Sequence, residues 1–392
     1  MRKRSIGRVF VALLWAFVFL AGCGQLSDKY GSTSAAPATG VAPWFKVDLN
    51  PIKDLVQPYV IYGDQTHVLT EPSYFLLNGQ HHLYYEVTEM DPTGQTVIGR
   101  TIAYAVSPNG IEWQTRGYDQ PVLQADETWE GTGVGAPSVL YEDGRFLMWY
   151  SAGEGAGIGL AESTDGLTWV KNPANPVLVP DQTWEGGATG VVASPSVIPH
   201  GAQYLMYYSG GISAGPALSR PLGTAIGSAV SDDGVTWTKR DAAGRTSSSN
   251  PGAVQPVLTS GQTWEGWDAT ANSGGAVCCP DVRVDHPVDR DVYRMYYTGN
   301  FLGSPVLDDV GIGYAGSFDG LNWDRLQEPY NPIVNEHFPL TLYGITQYIT
   351  YSQSAPSVVK IGNTYRMLYS QLDIFGTAQG IAIAVNPNPN SL

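Results

Sequence analysis

The chain has 392 residues, with 21 Lys and Arg against 36 Asp and Glu, for a formal net charge of −15. With 15% charged residues, 46 Gly and 27 Pro, it cannot be a coiled coil built on Glu, Lys and Leu. An acidic chain without basic clusters also excludes nucleic acid as a partner. The 23 Tyr, 11 Trp and 10 Phe are enough to bury a core, which argues against disorder.

Arg2, Lys3, Arg4 and Arg8 form a basic start, and Val9 to Ala21 is an unbroken apolar run. That run is short for a bilayer span and suits a secretory signal peptide over residues 1–22. Leu20-Ala21-Gly22-Cys23 then resembles the lipobox of bacterial lipoproteins. The resemblance implies cleavage before Cys23, lipidation of its thiol, and export to the bacterial cell envelope with the lipid in the membrane. Residues 23–44, rich in Ser, Ala, Thr, Pro and Gly, read as a flexible tether. The expected domain is 45–392.

One module recurs through that domain. It opens on Pro72-Ser73-Tyr74, Pro137-Ser138-Val139, Pro195-Ser196-Val197, Pro280-Asp281-Val282 and Pro356-Ser357-Val358. An aromatic strand follows: Tyr84-Tyr85, Trp149-Tyr150, Tyr207-Tyr208, Tyr296-Tyr297 and Leu368-Tyr369. A third strand of small and apolar residues leads into Ser-x-Asx-Gly-x-x-Trp, ending at Trp113, Trp169, Trp237 and Trp323. Asx-Gly is hairpin-turn chemistry. The motif resembles the sialidase Asp-box but is one residue shorter, so it reads as a structural turn with a packing Trp. Five modules predict an all-β, five-bladed β-propeller of four-stranded antiparallel blades. The fifth blade stops after its third strand, and an N-terminal strand within Tyr59–Tyr62 or Phe45–Leu49 is expected to close the ring. A pair of β-sandwiches would not explain a fivefold module.

The pattern resembles the five-bladed glycosidase propellers of glycoside hydrolase families 32, 43, 62, 68 and 130 over roughly residues 46–392. Symmetric residues build blades, so residues that break a repeat column are the better functional candidates. Before each opening Pro stand Glu71, Ala136, Ser194, Cys279 and Ala355. In families 43 and 32 the first of these positions is an Asp base or nucleophile, so Glu71 resembles its counterpart. The second strands end in Glu86, Ser151, Ser209, Thr298 and Ser370, where Glu86 is the exception. After the opening Pro, Asp281 replaces Ser. Glycoside hydrolysis needs two carboxyls, one ionised and one protonated. Glu71 is therefore the candidate base or nucleophile, with Asp281 or Glu86 as proton donor. The blade-two and blade-three acids of those families are absent: Ala136 and Ala193-Ser194 stand in their places.

Trp129-Glu130, Trp184-Glu185 and Trp264-Glu265 precede three of the opening strands. A Trp beside a carboxylate suits sugar binding, and identical triplets suit blade locking; both readings stand. His337 lies between blades four and five, where some relatives hold an axial metal or water through His. Beyond such an axial cation, neither a metal nor any other cofactor is expected. Cys278 and Cys279 are adjacent and could form a vicinal disulfide or remain thiols. The reading is thus a membrane-anchored, glycoside hydrolase-like monomer acting on a glycan or furanoside. The alternative is a non-catalytic carbohydrate-binding propeller.

Overall fold

In the computed structural model, the described residues are 45–46 and 59–386, apart from 65, 95, 118, 212–223, 263–275, 286–291, 301–310, 327–332, 335–336, 343–344, 363 and 374–378. Cys23, the signal segment, the tether, Trp264 and Glu265 lie outside them.

Five antiparallel sheets carry the five modules. The inner strands are His67–Leu77, Val134–Glu142, Val192–His200, Ala276–Asp285 and Ile345–Ile361. The second strands are Gln80–Met90, Arg145–Ala152, Gln203–Gly210, Val292–Asn300 and Thr364–Asp373. The third are Val97–Ser107, Gly157–Ser163, Ala225–Ser231, Gly311–Ser317 and Gln379–Asn386. Blades one to four add a short fourth strand at Gln114–Thr115, Val170–Lys171, Thr238–Arg240 and Asp324–Arg325. In the fifth, Phe45–Lys46 and Tyr59–Tyr62 both pair with Gln379–Asn386. His337 opens a further strand, His337–Leu342, antiparallel to Ile345–Ile361, rather than sitting in a plain loop.

Strand alternation explains the paired aromatics. Tyr85, Tyr150, Tyr208 and Tyr297 face the preceding blade, and Tyr84, Trp149 and Tyr207 face the next, filling four layers of apolar side chains. The Asx-Gly turn of each following blade meets the forward-facing ring. Tyr84 Oη donates to Gly166 O at 2.7 Å, Trp149 Nε1 to Gly234 O at 2.9 Å, and Tyr207 Oη to Gly320 O at 2.8 Å. These turns need glycine twice over: Gly166 has φ +73°, and a Cβ there would lie 2.7 Å from the Tyr84 hydroxyl. In blade two, Ser163 Oγ accepts from Gly166 N, while Asp165 Oδ1 accepts from Leu167 N and Thr168 N.

Two rings of hydrogen bonds join the blades around the axis. One residue in the latter half of each second strand, rather than its last residue as the sequence suggests, accepts from the next blade's pre-proline N–H. The acceptors are Glu86 Oε2 (from Ala136), Ser151 (Ser194), Ser209 (Cys279), Thr298 (Ala355) and Ser370 (Glu71), at 2.7–3.2 Å. The residue after each opening Pro accepts from the next blade's inner strand. Here Ser73 takes Val139 N, Ser138 takes Val197 N, Ser196 takes Val282 N, Asp281 Oδ2 takes Val358 N and Ser357 takes Tyr74 N, at 2.9–3.0 Å. Blade five is joined to blade one by the same two bonds as any other pair.

Candidate functional site

An axial cavity of about 490 Å³, counting the space open to solvent, is lined among the described residues by the inner strands alone. At its floor each inner strand breaks register in a β-bulge, between Thr70 and Ser73, Gly135 and Ser138, Ala193 and Ser196, Cys278 and Asp281, and Ser354 and Ser357. The pre-proline residue of each bulge is left-handed: φ is 52° at Glu71, 45° at Ala136, 46° at Ser194, 51° at Cys279 and 49° at Ala355. A non-glycine there costs about 1–3 kcal/mol and persists only when its surroundings over-determine it. Here the first ring of inter-blade hydrogen bonds clamps each of these N–H groups.

The bulges present five side chains to one cavity, and only Glu71 is acidic. Ala136, Ser194, Cys279 and Ala355 are buried, while Glu71 is partly exposed. Glu71 meets Cys279 across the ring: the thiol donates to Glu71 Oε1 at 3.6 Å and accepts from Ser194 Oγ at 3.9 Å. Cys278 and Cys279 are both free and buried, their sulfurs 2.7 Å apart. Burial, then Cys278 and the charge of Glu71, push the Cys279 thiol well above its ordinary value.

The other two column-breaking acids make the hydrogen bonds that Ser or Thr makes elsewhere. Asp281 lines the cavity, holds Val358 N, and pairs with Arg283 through Nη2 at 2.9 Å and Nε at 3.2 Å. Burial raises its pKa, against the pull of Arg283 and the backbone N–H. Glu86 does not line the cavity. Its Oε2 holds Ala136 N, and its Oε1 accepts from Thr88 at 3.0 Å and faces Arg100 Nε at 3.2 Å.

Glu130 and Glu185 are fully buried away from the axis. Glu185 Oε2 accepts from Asp181 N, Gln182 N and Lys239 Nζ, and Oε1 accepts from Tyr208 Oη at 2.7 Å. Glu130 repeats this with Asp126 N, Glu127 N, Lys171 Nζ and Tyr150 Oη. Trp129 and Trp184 lie against Tyr150 and Tyr208, with ring centroids 6.1 and 6.0 Å apart. Each loop is thereby tied to the second and fourth strands of the blade it leads into. Sequence reasoning missed the cations. The signal was a basic residue two places after the repeat Trp, at Lys171, Lys239 and Arg325. Blade one has no preceding Trp-Glu-Gly, and has Thr115 there instead. Arg283, the cationic residue of the cavity wall, was also missed, although Phe75, Leu140, Ile198 and Val359 fill its column in the other blades.

No family model matches the chain, and no curated protein matches it in sequence. Solved structures do match in fold. A structure described as a glycoside hydrolase superposes with a TM-score of 0.61 at 20% identity, covering 88% of this chain and 92% of that one. A structure from work on the GH130 family of mannoside phosphorylases, described as containing hydrolases of β-1,2 mannosidic linkages in Candida mannan, gives 0.58 at 15% identity, covering 91% and 96%. A glycosyl hydrolase from Bacteroides ovatus gives 0.58 at 16% identity, covering 89% and 95%. The chain shares its fold, a five-bladed β-propeller, with these structures.

Proposed function

We propose that the protein acts on a glycan in its axial cavity as a glycoside hydrolase-like propeller, with Glu71 as base or nucleophile. The observation that carries this is the bulge ring: five pre-proline side chains are delivered to one cavity, and the single carboxylate among those five is the partly exposed Glu71. Asp281 supports a two-carboxylate reading, because it lines the same cavity and burial shifts it in the direction a proton donor needs. The hydrolase descriptions of the structural neighbours agree with it.

A second reading, carbohydrate binding without turnover, is favoured by what Asp281 and Glu86 already do: both carboxylates are spent on inter-blade hydrogen bonds. The lipobox-like segment supports export and a lipid on Cys23 as part of the same proposal. Radiolabelled fatty acid incorporated by the wild type and not by Cys23→Ser would test that anchor.

The function is tested with the Cys23→Ser chain on arabinans, fructans, mannans and aryl furanosides, measuring both sugar release and binding. Release that falls by about 10³-fold or more in Glu71→Gln is the result expected of a nucleophile or base. Binding retained by both proteins, with no release by either, would replace the hydrolase reading with the binding one.

A further inference from the structure

The adjacent thiols break two repeat columns at once. Cys278 stands where the other blades have Thr70, Gly135, Ala193 and Ser354, and Cys279 stands on the bulge ring. Both are buried, at 1% and 3% exposure, yet Cys279 lines the axial cavity. Their sulfurs lie inside van der Waals contact, and the Cys279 backbone is held in place by Ser209 Oγ. We propose that Cys278 and Cys279 are a redox-reactive dithiol in the cavity floor. A low-molecular-weight disulfide entering the cavity converts them to a vicinal disulfide and thereby withdraws the Cys279 thiol from Glu71.

The step balances. As the Cys279 sulfur attacks the incoming disulfide, its proton passes in the same step to Glu71 Oε1, 3.6 Å away. The disulfide's S–S bond breaks, and one thiolate leaves and takes the proton back from Glu71. Cys278 then attacks the mixed disulfide, the intramolecular S–S bond forms, and the second thiol leaves with the Cys278 proton. Two protein thiols are oxidised by two electrons and one small disulfide is reduced to two thiols. Adjacent Cα atoms lie about 3.8 Å apart, closer than the roughly 4.4–6.8 Å disulfides ordinarily span. The bond is therefore strained and readily reopened by thiols. Once oxidised, Cys279 no longer donates to Glu71, so that carboxylate exchanges a protein donor for water or ligand. This last consequence rests on the glycan reading; the thiol chemistry does not.

The test uses the full chain with Cys23→Ser, leaving two cysteines, and bis(2-hydroxyethyl) disulfide as the probe. Thiols counted after unfolding are expected to fall from two to none, the peptide spanning both cysteines to lose two hydrogens, and dithiothreitol to restore both thiols. Cys278→Ala should instead trap a mixed disulfide on Cys279. Glu71→Gln should slow oxidation at least about tenfold, as expected on losing a nearby base. Two thiols surviving treatment, a wild-type chain that stops at the mixed disulfide, or cross-linked dimers would each overturn the dithiol. An unchanged rate in Glu71→Gln would remove Glu71 from the proton transfer. A reversible disulfide in a chain that neither binds nor cleaves any glycan would overturn the glycan reading alone.

Discussion

Asp281 has two roles that one pair of substitutions separates. Asp281→Ser restores the residue found in the other four blades and keeps an acceptor for Val358 N. Arg283 is a third exposed and stays hydrated once its partner is gone. Stability should then stay within about 1 kcal/mol of wild type, whereas Asp281→Ala strands a buried N–H and should cost about 1–3 kcal/mol by chemical denaturation. If Asp281 donates the proton in catalysis, the serine variant will be stable and inactive; full activity would leave it a structural acceptor. Column reasoning found Asp281 and Glu86 because they differ from Ser and Thr. It could not see that a carboxylate oxygen makes the same hydrogen bond as a hydroxyl, since that equivalence becomes visible only when the acceptor's partner is known.

The Ser-x-Asx-Gly turn behaves as one unit in four blades, and its acid response follows from its hydrogen bonds. Backbone N–H groups of Thr168 and Leu167, then Ser163, hold Asp165 down from 3.8 to about 2. Asp319 also sits at about 2: partial burial opposes the shift, and the N–H and side chain of Asn322 lead those that produce it. Asp233 is lowered by the N–H groups of Thr236 and Val235. A depressed folded pKa stabilises above the unfolded value, and that stability is lost as pH falls through the folded one. Stability should therefore decline from about pH 4 towards pH 2. Replacing Asp165, Asp233 and Asp319 by Asn should flatten that decline while preserving the turns, because Asn109 already makes the same two backbone bonds in blade one. Acid titration of wild type and triple variant, followed by tryptophan fluorescence, checks this. The turn was fully readable in the sequence because its chemistry is local. The Glu–Lys–Tyr networks were not, because their members lie up to 54 residues apart.

The blade count and the strand order were readable from the periodicity, since a fivefold repeat leaves few arrangements. The left-handed bulges were not, because Glu, Ala, Ser, Cys and Ala share no local preference for positive φ. That conformation comes from the neighbouring blade's hydroxyl or carboxylate. In blade five the early strands Phe45–Lys46 and Tyr59–Tyr62 pair with the last strand. Ile61 is buried there among Leu83, Leu368, Ile381 and Ile383. Ile61→Ala should lower global stability by about 2–5 kcal/mol, measured as a shift in denaturant midpoint without a second transition. A separate early transition would mean that blade five opens on its own.

The bulge ring works like a five-place socket. Each place has its backbone strain already met and its amide already clamped, so the identity of the side chain is decoupled from the path of the chain. Glu, Ala, Ser and Cys occupy it here with φ values within 7° of one another. A new carboxylate at Ala136 or Ser194 would face no new backbone geometry, only desolvation and its distance from Glu71. The chemistry of such a propeller can therefore be rewritten one socket at a time while the scaffold stays unchanged.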